Sequence, residues 1–292
     1  MRICAVVVTF FPTEEVAENI VVLKEQIDHI VIVDNGSGFS GRKILSHFDG
    51  DPKVKVVYNS KNVGLAAALN IGVKYARDIG HEWIATFDQD SRATNGMIRT
   101  MMKNYERYPG RERVGILAPS CREKATGQLS VYPKQSGDDQ NASWVLQLTV
   151  ITSGSIFDAH IFDAVGYFRE ELFIDYVDHD FCFRCAEAGY KILVCHNAIL
   201  DHQRGQQTRH KILWRDVITT NHDAMRRYYI ARNSVFIYRK YFLKHPLWIA
   251  KDALVFIQNI VKVLLLETDR KSKLINMARG VVDGSIGKLG KF

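Results

Sequence analysis

Two carboxylates one residue apart end an apolar stretch, and their type and spacing suit metal or phosphate chemistry. Residues 83–87 are apolar apart from one threonine and lead directly into Asp88 and Asp90. In a strand, side chains at i and i+2 point to the same side, so both carboxylates can reach one ligand. Two hard oxygen donors beyond a buried strand suit a divalent cation and the phosphates it carries. Asp and Ser also favour turns and helix N-caps, so these residues alone leave a capping role equally open.

A second acidic group lies among aromatic residues near the middle of the chain. Asp175, Asp178 and Asp180 fall within six residues. From Asp178 onward, apolar residues recur at helical spacing, which predicts that Asp178 lies near a helix N-terminus, where the helix dipole favours a carboxylate. A cap with solvated acids is the alternative interpretation, and it fits Asp175 and Asp180 better than Asp178.

The elements that must position these acids alternate between strand and helix. The sequence predicts strands at 3–9, 29–34, 54–58, 83–87 and 114–118, with helices between them. This alternation is typical of βαβ units and a mainly parallel sheet, in which ligands bind beyond the carboxyl ends of the strands. The polar residues expected at that edge are Thr9, Asp34, Asn62, Asp88 and Asp90.

Composition and charge indicate a globular chain with a basic C-terminal part. The chain has 292 residues, 47% hydrophobic and 24% charged, which is enough for a substantial core. Residues 1–202 carry 21 Lys and Arg against 26 Asp and Glu, a net charge of −5, whereas residues 203–292 carry 18 against 6, a net charge of +12. A basic tail on a mildly acidic body predicts an anionic partner for the tail, namely membrane phospholipid, nucleic acid or a phosphorylated substrate.

Cysteine usage and hydropathy favour a cytoplasmic protein. The five cysteines are odd in number and scattered, which predicts reduced thiols. Cys182 and Cys185 form a single CxxC in a predicted helix, which is a weak zinc signal. The chain begins close to a strand, so no signal peptide is expected. No window reaches 18 uninterrupted apolar residues, so no transmembrane helix is expected.

The chain beyond residue 120 departs from the βα alternation. Residues 123–141 are rich in Gly, Ser, Lys and Asp and are predicted to form an exposed loop or lid, and a short strand is predicted at 191–195. From about residue 206 the chain is predicted to be helical and basic, with an apolar run over 247–266 interrupted by Lys251, Asp252 and Lys262. Amphipathic helices of this kind pack on the body, pair with a second subunit or lie in a membrane interface, and packing is the default expectation.

An ordered set of short motifs resembles the family 2 nucleotide-sugar glycosyltransferases of GT-A fold, and most closely their bacterial rhamnosyltransferases. The motifs occupy residues 7–10, 33–37, 62–70, 88–91, 153–155, 173–178, 201–202 and 227–233. The resemblance covers nearly the whole chain. It implies an α/β, Rossmann-like fold with a mixed, mainly parallel sheet flanked by helices and a C-terminal helical extension. The implied domains are a catalytic domain over 1–205, with a nucleotide-sugar half (1–118) and an acceptor half (119–205), and a helical region over 206–292.

The resemblance also implies an inverting, metal-dependent reaction. Asp90 would ligate Mg²⁺ or Mn²⁺, Asp88 would contact the metal or the ribose, and His202 would complete the metal shell, although a lone histidine after a strand is more often structural. Asp178 would be the base that activates the acceptor hydroxyl. Relatives carry a Glu at the position of Val177, so the base could instead be Asp175 or Asp180.

Further site residues are carried over from the same family pattern. An acceptor at Asp34 could take the imide N–H of uracil or thymine, although Asp34, Asn35 and Gly36 also read as an ordinary turn. The nucleotide-sugar site implied by resemblance consists of Thr9, Asp34, Asn35, Lys61, Asn62, Gly64, Asp88 and Gln89, and the acceptor side consists of Trp144, Gly154, Ser155 and Asp175.

The predicted function is transfer of L-rhamnose from dTDP-β-L-rhamnose to a bacterial cell-surface polysaccharide or lipid-linked acceptor. The expected location is cytoplasmic, with peripheral contact to the inner face of the membrane through 246–292 and a homo-oligomer as a further expectation. The alternatives are the same mechanism with UDP-galactofuranose, UDP-glucose or UDP-N-acetylglucosamine, and a nucleotide-binding scaffold without catalysis. Nucleic-acid binding by the tail is disfavoured by the acidic front half.

Overall fold

The chain forms two compact units. The computed structural model describes residues 1–124, 126–130, 132, 142–203, 208–212 and 215–292. The first unit comprises Met1–Arg169 and Asp178–Gln203, and the second comprises Glu170–Val177 and Arg204–Phe292. Most of the predicted loop or lid at 123–141 lies outside the described residues.

The first unit alternates strands and helices as the sequence predicts. Its elements, with α6 beginning one residue before the unit resumes, are β1 (Ile3–Thr9), α1 (Glu15–Lys24), β2 (His29–Asp34), α2 (Gly38–Leu45), β3 (Val54–Tyr58), α3 (Leu65–Asp78), β4 (Trp83–Asp88), β5 (Arg92–Ala93), α4 (Met97–Arg107), β6 (Val114–Glu123), β7 (Trp144–Gln147), β8 (Ile156–Asp158), α5 (Ile161–Val165), α6 (Val177–Glu187) and β9 (Lys191–His202).

The described strands of this unit form one mixed sheet. Its order is β3-β2-β1-β4-β8-β6-β9-β5, and β7 pairs with β9 outside this path. Strands β1 to β4 pair in parallel, and β6 and β9 are also parallel. Strand β8 runs antiparallel to both β4 and β6 and joins the two halves. The predicted α/β class, with a mixed sheet and flanking helices, is confirmed.

The strand register brings the polar residues that follow the strands to one edge. Thr9 pairs with Asp34, and the neighbouring Val8 pairs with Asp88. All seven residues of β1 are buried. Helices cover both faces of a parallel sheet, so a strand in its centre is stable when nearly all of its residues are apolar. The polar side chains can therefore meet only beyond the carboxyl ends of β1, β2 and β4.

All five cysteines lie in the first unit and are free and buried. Burial raises the pKa of the Cys4, Cys182 and Cys195 thiols to about 12 in each case, because desolvation disfavours the thiolate. The thiolate is the reactive form, so these thiols act as apolar core groups.

The described residues of the second unit beyond 204 form two paired strands followed by three helices. Its elements are β10 (Thr208–Ile212), β11 (Arg215–Thr219), α7 (Ala224–Tyr241), α8 (Pro246–Leu266) and α9 (Arg270–Ile286). The prediction of helix from residue 206 was wrong over 208–212 and 215–219, where β10 and β11 pair antiparallel. The β-branched Val217, Ile218 and Thr219 favour a strand there.

Helices α7 and α9 approach closely at two glycines. A Cβ on Gly280 would lie 2.4 Å from the Tyr228 carbonyl oxygen, and a Cβ on Gly284 would lie 2.4 Å from that of Arg232. Either contact would force the helices apart. A buried charge cluster lies in the same unit, where Glu267 pairs with Arg227 and with Lys273, the latter at 3.0 Å. A buried ion pair of this kind is costly to break from one side.

The segment 170–177 belongs to the second unit because α7 binds its backbone. The Asn233 amide donates to the carbonyls of Leu172, Ile174 and Asp175 at 2.9, 2.8 and 3.0 Å. Phe173, Asp175 and Tyr176 have φ values of 66°, 61° and 62°, which cost free energy for residues with a side chain. Hydrogen bonds over such sequence distances leave no local signal, and the division of the chain into domains at residue 205 stays a prediction.

No helix in the described part of the chain is long and apolar enough to cross a membrane.

Candidate active site

Asp88, Asp90 and His202 come together although the last two are 112 positions apart in the sequence. Asp88 is the last residue of β4 and His202 is the last of β9. Each of the three offers one ligand atom, and these atoms all lie within 4.8 Å of one another. Nδ1 of His202 lies 4.0 Å from Oδ1 of Asp90. All three residues are half-buried, so the cluster is open to a ligand.

The cluster fits a hard divalent cation. Two oxygen ligands on opposite sides of Mg²⁺ lie about 4.2 Å apart, close to the observed spread of the three ligand atoms. Two carboxylates and one imidazole leave the remaining coordination positions for phosphate oxygens or water. Among the His, Cys, Asp and Glu side chains of the described residues, these three lie close enough together to share a metal ion.

Two buried serines connect the cluster on its inner side. The Asp88 N–H donates to Oγ of Ser153 at 3.0 Å, and the Ser153 hydroxyl donates to Oγ of Ser91 at 2.8 Å. Oγ of Ser91 in turn lies 2.8 Å from Nδ1 of His202. These contacts fix the imidazole relative to the end of β4. Sequence reasoning missed both roles; the only signal was a small polar residue directly after the Asp-x-Asp.

Lys124 ties the two metal-binding segments together. Its backbone N–H donates to the His202 carbonyl at 3.2 Å, and its ammonium donates to the Asp90 carbonyl at 2.7 Å. The same ammonium pairs with Glu15 in the first turn of α1. The turn at Asp90 is therefore fixed from both sides, by Lys124 and by Ser91. This lysine was also missed, because nothing near it in sequence marks the contact.

Asp34 is buried and holds the turn that follows β2. Its carboxylate accepts hydrogen bonds from the Thr9 hydroxyl at 3.2 Å and from the N–H of Ser37 at 3.1 Å, and it also bonds to the Ser37 hydroxyl. The ordinary-turn interpretation of Asp34 is thus satisfied by the structure. Its role toward a nucleobase stays a prediction.

Asn35 and Asn62 hold the neighbouring loop against this turn. The Asn35 amide donates to Oδ1 of Asn62 at 3.1 Å, and Oδ1 of Asn35 accepts from the N–H of Val63 at 3.0 Å. A Cβ on Gly36 would lie 2.4 Å from the carbonyl carbon of Lys61, so only glycine permits this approach. The two segments predicted to bind the nucleotide are therefore adjacent.

The remaining predicted nucleotide residues lie at the same edge. The side-chain amide of Gln89 binds the backbone of Phe10 at both ends: its oxygen accepts from the Phe10 N–H at 2.8 Å, and its nitrogen donates to the Phe10 carbonyl at 3.2 Å. Gly64 has φ 93° and precedes the first residue of α3, while Lys61 is exposed. The start of α3 is a helix N-terminus, where N–H groups without intrahelical partners can bind phosphate.

The three central acids have different environments. Asp180 is fully buried and pairs with Arg169 at 3.1 Å and Arg184 at 2.9 Å. Asp175 forms a two-pronged pair with Arg226 at 3.1 and 3.2 Å. Within the described residues, Asp178 is the one of the three acids that has no ion pair. It lies in the first turn of α6, as predicted, and its carboxylate accepts from the N–H of His179 at 2.8 Å.

A single segment links Asp88 to the first turns of α6. The Cys182 thiol, one turn beyond Asp178 on the same face of α6, lies 3.7 Å from the Val150 carbonyl. Three residues further on, Oγ of Ser153 accepts from Asp88. The segment 150–153 thus contacts both the end of β4 and the helix that carries Asp178. Both carboxylates belong to the first unit.

The predicted acceptor residues differ in their availability. Trp144 is half-buried and packs edge-on against Tyr108, with 6.2 Å between ring centroids. Gly154 has φ 79°, and a Cβ there would lie 2.8 Å from the Leu200 side chain. Ser155 is fully buried, and its hydroxyl donates to the Ile151 carbonyl at 2.6 Å. The acceptor roles of these residues and of Asp175 stay predictions, and the burial of Ser155 favours a structural role for its side chain.

Comparison with known proteins identifies a family. The model of glycosyl transferase family 2 matches residues 4–116. The dTDP-rhamnosyl transferase RfbF of Shigella flexneri is 31% identical over 99% of this chain and 97% of its own length.

Solved structures show the same fold. TarS of S. aureus, residues 1–349, superposes with a TM-score of 0.61 at 14% identity and covers 97% of this chain and 81% of its own. GalNAc-T7, solved with UDP, GalNAc and Mn²⁺, gives a TM-score of 0.58 at 12% identity. It covers 70% of this chain, which spans only 44% of GalNAc-T7.

Proposed function

The chain belongs to glycosyl transferase family 2 and is a glycosyltransferase, and from this premise we propose that it transfers L-rhamnose from dTDP-β-L-rhamnose with inversion. The observation that carries the choice of donor is the 31% identity, over almost the full length of both chains, to a dTDP-rhamnosyl transferase. Sugar identity changes easily within one fold, so the donor needs a direct test.

Asp88, Asp90 and His202 are proposed to hold a divalent cation, Mg²⁺ or Mn²⁺, against the donor diphosphate. Their ligand atoms already lie within 4.8 Å of one another, and Ser91, Ser153 and Lys124 fix the segments that carry them. A bound cation would neutralise the negative charge that develops on the departing diphosphate.

Asp178 is proposed to accept the proton of the attacking hydroxyl. A base must be able to reach the acceptor hydroxyl, and the carboxylates of Asp175 and Asp180 are already engaged by arginines, at 3.1 Å to Arg226 and at 3.1 and 2.9 Å to Arg169 and Arg184. The position of Asp178 at a half-buried helix N-terminus, without an arginine partner among the described residues, supports the assignment. Attack then occurs on the sugar face opposite to the diphosphate, which inverts the anomeric centre.

The nucleotide is proposed to bind at the edge formed by β1, β2 and the start of α3. Hydrogen bonds among Thr9, Asp34, Asn35 and Asn62 support a role in shaping that edge, whereas the exposed Lys61 is available for direct contact with the donor. Gly64 and Gln89 keep their proposed places beside the phosphates and ribose. The acceptor is proposed to be a bacterial cell-surface polysaccharide or its lipid-linked precursor, contacted in part by Trp144. A cytoplasmic location, peripheral membrane contact and a homo-oligomer remain proposals.

Nucleotide titration followed by turnover tests this function. We expect dTDP to bind more tightly than UDP or GDP in the presence of Mg²⁺ or Mn²⁺, and dTDP-β-L-rhamnose to be consumed with an acceptor glycan. Preference for UDP with turnover of UDP-galactofuranose, UDP-glucose or UDP-N-acetylglucosamine would replace the donor and keep the mechanism. Binding of dTDP without hydrolysis or transfer of any sugar would favour a scaffold role instead.

A further inference from the structure

Helix α8 presents a continuous row of apolar side chains to solvent. Leu247, Leu254, Ile257, Val261 and Leu264 are each 45–79% exposed, with Ala250 exposed between the first two. The intervals of three and four residues place all six on one face of the helix. We call these six residues the α8 apolar face.

The α8 apolar face is distinct from the face that packs within the second unit. Ile249 and Val263 are buried and anchor the helix internally. At 3.6 residues per turn the six exposed residues fall within an arc of roughly 100°, and they extend over about 26 Å of helix. Isolated exposed apolar residues are ordinary, but a contiguous row of this length marks an interaction surface. This face is therefore not used for packing within the second unit.

The exposed charge of the stretch that contains α8 is almost entirely positive. Between residues 242 and 292 the exposed charged residues are Lys244, Lys251, Asp269, Arg270, Lys271, Arg279, Lys288 and Lys291. The other acids in this stretch are held internally: Asp252 accepts from Tyr176 and Tyr238, and Glu267 pairs with Arg227. Asp283 accepts from Tyr228. This stretch therefore exposes seven cations against one acid, which favours an anionic partner.

Lys251 and Lys262 lie along one edge of the α8 apolar face. At 100° per residue, both fall within about 60° of Leu247 on the same side. Lysines at the edge of an apolar stripe can extend their ammonium groups toward phosphate while their methylene chains stay against acyl chains. This arrangement is typical of helices that lie in a membrane interface.

We propose that the α8 apolar face inserts into the interface of an anionic phospholipid bilayer, with Lys251 and Lys262 directed to the headgroups. The helix lies in the surface plane and does not cross, in keeping with the absence of a spanning helix among the described residues. This inference stands apart from the transferase reaction, because it requires neither nucleotide nor metal.

A second copy of the chain is the competing occupant. The three- and four-residue spacing also fits a helix pair, but such pairs are selected by opposite charges beside the seam. Pairing two α8 helices would bring Lys251 and Lys262 together without an exposed acid on either α8 to match them. Charge therefore favours the lipid surface.

Sedimentation with vesicles tests the proposal on the full chain. We expect binding to vesicles of phosphatidylcholine mixed with phosphatidylglycerol, weaker binding to phosphatidylcholine alone, and partial release by high salt. The double variant Leu254→Glu/Ile257→Glu should bind at least about tenfold more weakly, because two apolar side chains no longer insert. Both positions are exposed, so circular dichroism and melting temperature should not change.

Matched variants make the result specific. Val21→Glu places the same charge on an exposed valine of α1 and should bind vesicles like the unchanged chain. Asp178→Asn should also bind vesicles normally, which separates this inference from the proposed reaction. Equal binding by the Leu254→Glu/Ile257→Glu variant would overturn the proposal. The proposal would also be overturned if the unchanged chain did not bind anionic vesicles but formed a concentration-dependent dimer, and if the Leu254→Glu/Ile257→Glu variant abolished that dimer.

Discussion

Oγ of Ser91 lies 2.8 Å from Nδ1 of His202, and this contact connects the turn after β4 to the end of β9. The same oxygen accepts from Ser153, whose hydroxyl also receives the Asp88 N–H. A histidine that binds a metal through one ring nitrogen is usually oriented by a hydrogen bond from the other. In the tautomer whose Nδ1–H donates to Ser91, Nε2 carries the lone pair that a metal would bind.

Replacing Ser91 should therefore weaken metal binding without unfolding the chain. We expect Ser91→Ala to lower Mn²⁺ affinity about 10- to 100-fold, the usual effect of removing such a hydrogen bond. Calorimetric titration of Mn²⁺ in the presence of dTDP measures this independently of turnover. Ser120→Ala is the control, because Ser120 is also a buried serine but lies on β6, and this variant should leave Mn²⁺ affinity unchanged. Equal affinity in Ser91→Ala would remove Ser91 from the site.

Asp178→Asn should separate binding from chemistry. The amide keeps the size of the side chain but cannot accept the hydroxyl proton, so we expect transfer to fall by about 10²–10⁴-fold. Affinity for dTDP with Mn²⁺ should stay within about twofold, since the base does not hold the leaving group. Asp163→Asn, an exposed acid paired with Arg77, is the control for the charge change. Full transfer by the Asp178 variant would exclude it as the base.

Asn233→Ala should destabilise the second unit strongly. The buried Asn233 amide donates to three carbonyls of 172–175, next to residues with positive φ. Removing the amide leaves those carbonyls without this donor, and we expect a loss of roughly 2–4 kcal/mol in the free energy of unfolding. Urea denaturation measures it. Asn276→Ala removes a single bond within α9 and should cost less than about 1 kcal/mol.

The stability of the second unit should fall on mild acidification. Burial, with a further contribution from Arg226, lowers the pKa of His222 from 6.5 to about 4. Between these two pH values the unfolded chain binds a proton that the folded chain does not. The contribution of neutral His222 to the free energy of unfolding is therefore fully present above pH 6.5 and decreases as the pH falls toward 4. Urea unfolding at pH 7 and pH 5 measures the decline. His222→Gln should make it shallower, and an unchanged slope would contradict the assignment.

Strand content and the acidic edge were predictable from sequence because their causes are local. The apolar run of β1 and the Asp-x-Asp after β4 each show their environment within a few residues. Strand β9 was harder: the predicted strand covered 191–195, whereas it continues to His202 with an irregularity near Pro119 of its neighbour β6. That extension carries His202 to the carboxylates.

The supporting residues of the site were not predictable, since each acts across a long stretch of sequence. Ser153 reaches Asp88 over 65 residues, and Lys124 reaches Asp90 over 34. Small polar and basic residues occur throughout the chain, so nothing in their type distinguishes these two. The paired strands β10 and β11 were missed for a different reason: their basic residues resemble those of the helices that follow.

The buried cysteines give the α/β unit a built-in reporter of opening. Since every thiol is buried, an alkylating reagent can modify a cysteine only when the surrounding structure opens and exposes it. The rate of modification thus measures how often that unit opens, and mass spectrometry of peptides holding Cys4, Cys121 or Cys195 would show which part of the sheet opens first.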